Sequence, residues 1–201
     1  MRVSPLSGAR PSREDLARFA ADPPPLQDVM PPGGAALRLL IVGINPGLWT
    51  AAVNAPFAHP GNRFWPSLHR AGIIDRAVDA SRGLDPADEQ ALVDRGIGMT
   101  NLVARPTARA DELSREELRE GGERLRRMVQ ERPPRTVSIL GITAFRIAYR
   151  VPRASMGRQE LPGWPDGTAL WVLPQPSGLN AHETIDSLAD RWREVWGEDE
   201  V

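Results

Sequence analysis

An α/β sandwich around a mostly parallel sheet is the fold this sequence predicts, and three observations carry the prediction. Strand-like and helix-like segments alternate along the chain, as consecutive β-α-β units require. The first strand candidate, residues 37–44 (LRLLIVGI), is apolar without alternation, as a strand covered on both faces must be. A length of 201 residues with 41% hydrophobic and 25% charged side chains suits one water-soluble domain with a real core.

The elements follow in order. Residues 1–35 are proline-rich (ADPPPLQDVMPPGG) around one short helix from Ser12 to Ala21. The expectation is a partly ordered arm over residues 1–26 and a single domain over 27–201. After the 37–44 strand, Gly43-Ile44-Asn45-Pro46-Gly47 excludes continuation as helix or strand, and a polar-aromatic loop runs to Pro60. Phe64, Trp65 and Leu68 have helical spacing within 62–71, with Asn62 as N-cap, and a second helix fits 86–95. Residues 97–103 (IGMTNLV) read as a strand. Ser114 followed by Glu117 is a capping box that opens a helix to Glu131. Pro133-Pro134 stops it before a strand at 136–140 and a short helix at 142–150. A turn at 164–167 leads into a strand at 168–173, which ends in Pro174-Gln175-Pro176-Ser177-Gly178. The last helix is expected from Ala181 to Trp196. Four strands result, and the two unusual loops, GINPG and PQPSGLN, both follow strands. In such folds ligands sit beyond the carboxyl ends of the strands, so both loops belong to one rim.

Composition excludes several chemistries. There is no cysteine, hence no disulfide, thiolate nucleophile or thiolate-bound cluster. All 25 basic residues are arginine, which removes Schiff-base catalysis and the P-loop lysine. No apolar run approaches the ~20 residues that span a bilayer. The N-terminal segment has no apolar region of the export type, so a cytoplasmic location is expected. A net charge of −1 advertises no global field for nucleic acid, although a local basic cleft is compatible with it.

Residue by residue, the loops leave alternatives open. Asn45 can position a water or bind an amide without titrating; as an Asn before proline it can equally make an Asx-turn. Phe57 can stack on a flat ligand or close a core. His59 can act as acid or base, yet a lone loop histidine is more often structural, and His59, His69 and His182 are too scattered for a metal. Ser177-Gly178 lacks the nucleophile-elbow pattern and a base, which leaves exposed backbone groups and an apolar tip at Leu179 suited to wedging into a base stack.

Taken together, GINPGL (43–48), PFAHPGNRFW (56–65), MTNLVARPT (99–107) and VLPQPSGL (172–179) resemble the mismatch-specific uracil-DNA glycosylase and thymine-DNA glycosylase family, over residues 27–196. The resemblance implies a three-layer sandwich on a short central sheet, no metal or organic cofactor, and a monomer acting on double-stranded DNA. The implied reaction is hydrolysis of the N-glycosidic bond of uracil, or a related pyrimidine, opposite guanine after base flipping. By position, Asn45 matches the catalytic asparagine that holds the attacking water. Ile44, Gly47, Thr50, Phe57 and Asn101 match the base pocket, with Phe57 stacking on the flipped base. Ser177, Gly178, Leu179 and Asn180 match the wedge and the groups that read the widowed guanine. Arg63, Arg105 and Arg109, with Arg158, are the arginines proposed for phosphate contact from their loop positions. Without lysine, a strand-cutting imine is unavailable, so a monofunctional enzyme is expected. Gln175, Asn180 and Ala181 depart from the usual Asn-Pro-Ser-Gly and Ser-Arg of the family. The competing readings are a non-catalytic damage-binding module and a small-molecule hydrolase on the same sheet.

Overall fold

The apolar run at 37–44 forms strand β1, Leu39–Gly43, with all five residues buried. Its neighbours are β2 (Ile97–Asn101) on one side and β3 (Thr136–Leu140) on the other, both parallel. Beyond β3 lie β5 (Ala169–Leu173), also parallel, and β4 (Gly157–Gln159), antiparallel at the edge. The sheet therefore has five strands in the order β2-β1-β3-β5-β4, not the four expected. The missed strand is three residues long, polar and half-buried, and carries no apolar period. The computed structural model describes residues 2–22 and 26–198; the rest, Pro23–Pro25 of the arm included, lie outside the described residues.

Among the described residues, α-helices cover the two faces: α1 (Arg13–Ala21), α2 (Leu48–Val53), α3 (Phe64–Ala71), α4 (Pro86–Asp94), α5 (Arg115–Glu131), α6 (Ile142–Ala148) and α7 (Ile185–Gly197). Successive β1 side chains point to opposite faces, and the core divides accordingly. Leu39 and Ile41 pack with Phe64, Leu68, Leu92 and Trp192. Leu40 and Val42 pack with Leu125, Val129, Val137 and Phe145 of the other layer. Three layers result. Trp192 Nε1 donates to Ser67 Oγ (3.1 Å), whose own hydroxyl donates to Phe64 O (2.8 Å), so this buried polar contact between α7 and α3 is satisfied inside the core.

Local signals explain most boundaries. Ser12 and Ser114 cap α1 and α5 through reciprocal capping boxes. Asn62 Oδ1 accepts from Phe64 N (2.9 Å) while Arg63 occupies the N-cap position of α3. Two expectations are corrected. Helix α2 replaces part of the loop expected before Pro60; its N-cap Gly47 offers no side chain, and it ends at Asn54 in the left-handed region. Helix α7 starts at Ile185, capped by Thr184, so Ala181–Glu183 is turn rather than helix. The outer edge of β2 is paired with Val29 through Val29 N to Met99 O and Met99 N to Val29 O, which protects an open sheet edge.

Candidate active site

Strands β1, β2 and β5 end at one rim, and the segments leaving them enclose a cleft of about 1040 Å³. Asn45, Phe57, Asn101 and Leu179 all line it, together with Thr50 and Gly178. The four motif segments, far apart in sequence, meet there.

Asn45 is half-buried and its carboxamide is held in one orientation. Nδ2 donates to Thr107 Oγ1 (2.7 Å), Arg105 O (3.0 Å) and Pro46 O (3.2 Å). Two of these acceptors are carbonyls and cannot donate, so the nitrogen must face them. Among the described residues nothing donates to Oδ1, and no Asx-turn forms. The oxygen is therefore left to accept from a water in the cleft. Thr107 was not singled out from the sequence; its hydroxyl donates to Arg109 O (2.7 Å), which fixes its lone pairs toward Asn45. A bridge between Gly47 and Thr107 ties the two segments at the backbone.

Phe57 lies in the left-handed region at φ +53°, a conformation that costs about 1–3 kcal/mol for a non-glycine residue and persists only where packing enforces it. The enforcement is visible: the ring stacks on Phe64 at 3.8 Å between centroids and 20° between planes. Phe64 is fully buried. One face of Phe57 is thus backed by the core while the residue lines the cleft, and among the described residues nothing accepts from its N–H. Thr50, on α2, accepts from Ala58 N (3.3 Å) and so holds the loop that carries Phe57. At the floor, a Cβ on Gly43 would meet Asn101 Oδ1 at 2.5 Å and Phe57 Cζ at 3.6 Å. Glycine here lets the Asn101 carboxamide lie against the strand end. That carboxamide makes no hydrogen bond among the described residues, whereas the Asn101 backbone carbonyl accepts from Arg124.

The 174–182 loop rests on the Phe57 segment. Arg63 N donates to Pro176 O (2.8 Å), and Arg63 Nη1 donates to Ser177 O (3.2 Å) and Asn180 O (2.8 Å). A Cβ on Gly178 would fall 2.5 Å from Gly61 O, so only glycine permits this seating. Asn180 is engaged at both ends of its amide, Nδ2 to Gln175 O (3.0 Å) and Oδ1 from His182 N (3.2 Å). Leu179 projects between them, 90% exposed.

Residues 30–196 match the model of the Uracil DNA glycosylase superfamily. The chain belongs to that superfamily. Its members are DNA glycosylases, hydrolases whose substrate is DNA, and the α/β architecture described above is theirs.

For a member of this superfamily, the arrangement brings together every pocket and wedge residue expected from sequence: Ile44, Asn45, Gly47, Thr50, Phe57, Asn101 and Ser177 to Asn180 all line one cleft. The arginines divide differently. Arg63 supports the Leu179 loop. Arg105 is engaged by Glu117, Nε to Oε1 at 2.7 Å and Nη2 to Oε2 at 3.1 Å, and by Glu112 O. Arg109 lines the cleft but pairs with Asp111. Arg158 pairs with Glu198 (2.7 Å) in a depression beside Thr136 and Ala169, at the opposite end of the sheet. His59 packs edge-on against Trp49, and its Nδ1 accepts from Gly61 N (3.1 Å), a structural task at the cleft wall. Asp28, unnoticed in sequence, is exposed as a residue, yet its carboxyl accepts from buried Thr100 Oγ1 (2.9 Å); desolvation of the carboxyl pushes its pKa above the usual value, against the lowering effect of that hydrogen bond. No group of three His, Cys, Asp or Glu that could hold a metal occurs among the described residues. The only sequence signal for Thr107 was its place in the ARPT segment; Asp28 had none.

Proposed function

We propose that this protein is a monofunctional DNA glycosylase that hydrolyses the N-glycosidic bond of uracil paired with guanine in duplex DNA, releasing the free base and leaving an abasic site. The orientation of Asn45 carries this reading. Its Oδ1 accepts from a water placed beneath C1′ of the extruded nucleotide, directing the water lone pair at that carbon. An amide does not take up the proton as a carboxylate does, so Asn45 supplies positioning and the barrier is lowered mainly by geometry and by the leaving group. The C1′–N1 bond breaks, the pair of electrons departs on uracil N1, and the Phe57 N–H and the Asn101 amide donate to the pyrimidine oxygens as that charge develops. The water oxygen forms the new bond to C1′ and its proton is released to solvent or to the departing base. Phe57 supplies a rigid stacking face, and Leu179 fills the gap left in the duplex. Preference for guanine mispairs follows from the lower cost of opening a weak pair. With no lysine in the chain, strand cleavage through an imine has no side chain to carry it.

Single-turnover assay of a labelled G·U duplex, with alkali treatment, tests the reading beside A·U, G·T and Asn45→Ala controls. Alkali-dependent scission at G·U, reduced about 10²–10³-fold in Asn45→Ala, is expected. Tight mismatch binding with no uracil release would overturn it in favour of a non-catalytic module.

A further inference from the structure

The residues before position 30 lie outside the superfamily match, yet among the described ones Leu16 and residues 26–29 line the cleft. Arg2 pins this arm. The Arg2 side chain is 3% exposed and runs inward, with Nη1 donating to Gln27 O (2.7 Å) and Asn54 O (3.0 Å), Nη2 to Asp28 O (3.1 Å) and Nε to Glu89 Oε2 (3.3 Å). Helix α1 then packs on α2 and places Leu16 on the cleft wall. Between pin and helix, Arg10 sits with its guanidinium carbon 5.4 Å over the Trp49 ring, and Trp49 in turn meets His59 edge-on at 5.4 Å. Trp49 and His59 both line the cleft.

Arg10 differs from the arginines that sequence position had suggested for DNA. It is exposed, and among the described residues it pairs with no carboxylate. Arg105 and Arg109 are neutralised by Glu117 and Asp111, and Arg63 is bound to the Leu179 loop. A guanidinium held over an aromatic face loses little side-chain freedom when it takes up an anion, and its planar fork matches phosphate oxygens. We infer that Arg10, held on Trp49 by the N-terminal arm, binds a backbone phosphate of duplex DNA beside the extruded nucleotide, which makes the arm part of the DNA-binding face. The inference rests on the glycosylase reading for its substrate, and on the Arg2–Arg10–Trp49 geometry for its residue.

The test is binding of a fluorescent duplex carrying one guanine opposite a tetrahydrofuran abasic analogue, which needs no chemistry. Anisotropy titrations over a series of salt concentrations compare the full chain with Arg10→Gln and Arg10→Lys. Loss of one phosphate contact lowers the slope of log K against log salt by about 0.9, which is about an eightfold weaker Kd at 0.1 M salt. Arg10→Gln is expected to show both changes, and Arg10→Lys to restore the slope. Identical Kd and slope in Arg10→Gln would sink the inference, and so would weaker binding at an unchanged slope, since that reports Trp49 packing rather than charge. Arg2→Ala is expected to show the same loss, and Arg2→Ala with Arg10→Gln no further loss; additive losses would remove the arm from the account. Failure of the full chain to release uracil from G·U overturns the proposed activity alone and leaves the binding comparison intact.

Discussion

The Asn45 amide nitrogen and the Thr107 hydroxyl stand 2.7 Å apart, and the Thr107 proton is already committed to Arg109 O, so Thr107 can only accept. Thr107→Val keeps the shape and removes that acceptor. Loss of a net hydrogen bond worth about 1 kcal/mol should slow single-turnover excision roughly fivefold, with duplex affinity unchanged. A rate equal to that of the unaltered protein would show that the two carbonyls orient Asn45 without help.

Phe57→Ala removes the stacking face but leaves Phe64 in the core. Base-aromatic stacking is worth about 1–3 kcal/mol, so excision should fall by about 5- to 160-fold in kcat/KM. The same change deletes packing on Phe64 and keeps the Cβ that strains φ +53°, but Phe57 is only half-buried and gives up less burial than a core ring. The melting temperature should therefore move less than for Phe64→Ala, a fully buried ring whose loss costs about 3–5 kcal/mol.

Gly178→Ala forces the loop off Gly61 because the added Cβ meets a backbone carbonyl at 2.5 Å. Leu179→Ala trims a side chain that touches little of the folded protein. Both should slow excision from a G·U duplex, and neither should slow excision of uracil from single-stranded DNA, where no stack needs filling. Only Gly178→Ala should lower thermal stability. Equal losses on both substrates would assign this loop to the chemistry rather than to strand opening.

Glu117 ties the start of α5 to the segment that orients Asn45. The Arg105 guanidinium, and then the Ser114 backbone N–H, hold its carboxyl at about 2, below the usual carboxylate range. A depressed folded pKa contributes stability above the unfolded value of about 4.3, and that contribution is lost as pH falls toward 2. Melting curves of Glu117→Gln should therefore lie below those of the unaltered protein at pH 5 and meet them near pH 2. Parallel curves across that window would remove the ion pair from the account.

Asp28 has the opposite sign. Desolvation raises its carboxyl pKa, against the hydrogen bond from Thr100 and the nearby Arg124 and Arg2. Its contribution is full below about 3.9, the unfolded value, and falls as pH rises through the higher folded value. Asp28→Asn should be at least as stable as the unaltered protein at pH 7 and should gain least at pH 3.5. A lower melting temperature for Asp28→Asn at pH 7 would contradict the sign.

Sequence legibility followed the physics of each element. Strand β1 was readable because burial on both faces demands an unbroken apolar run, and β2, β3 and β5 because short, mostly apolar segments stand between turn and helix signals. Helix α5 was readable because Ser114 and Glu117 cap it with side chains. Strand β4 was not, since Gly157-Arg158-Gln159 pairs through backbone alone at the sheet edge. Helix α2 begins at a glycine and ends on a left-handed Asn54, so neither end carries the usual side-chain signal. At the site, the residue types of Asn45 and Phe57 were legible, but their partners were not. The Thr107 acceptor lies 62 residues from Asn45, and the Phe57–Phe64 stack depends on a positive φ that no local pattern announces. For the arginines, position in a loop says nothing about a carboxylate that arrives from elsewhere in the chain, as Glu117 does for Arg105.

The sandwich of Arg10, Trp49 and His59 also equips the molecule with an optical reporter. Of the six tryptophans, Trp49 is the one that lines the cleft among the described residues, while Trp65 and Trp192 are sealed in the interior. Indole emission is sensitive to a neighbouring cation and to water, so DNA arriving at the arm should change this one emitter and leave the buried ones dark to it. Occupancy of the cleft can then be followed in real time on unlabelled protein and unlabelled DNA, with Trp49→Phe as the silent reference.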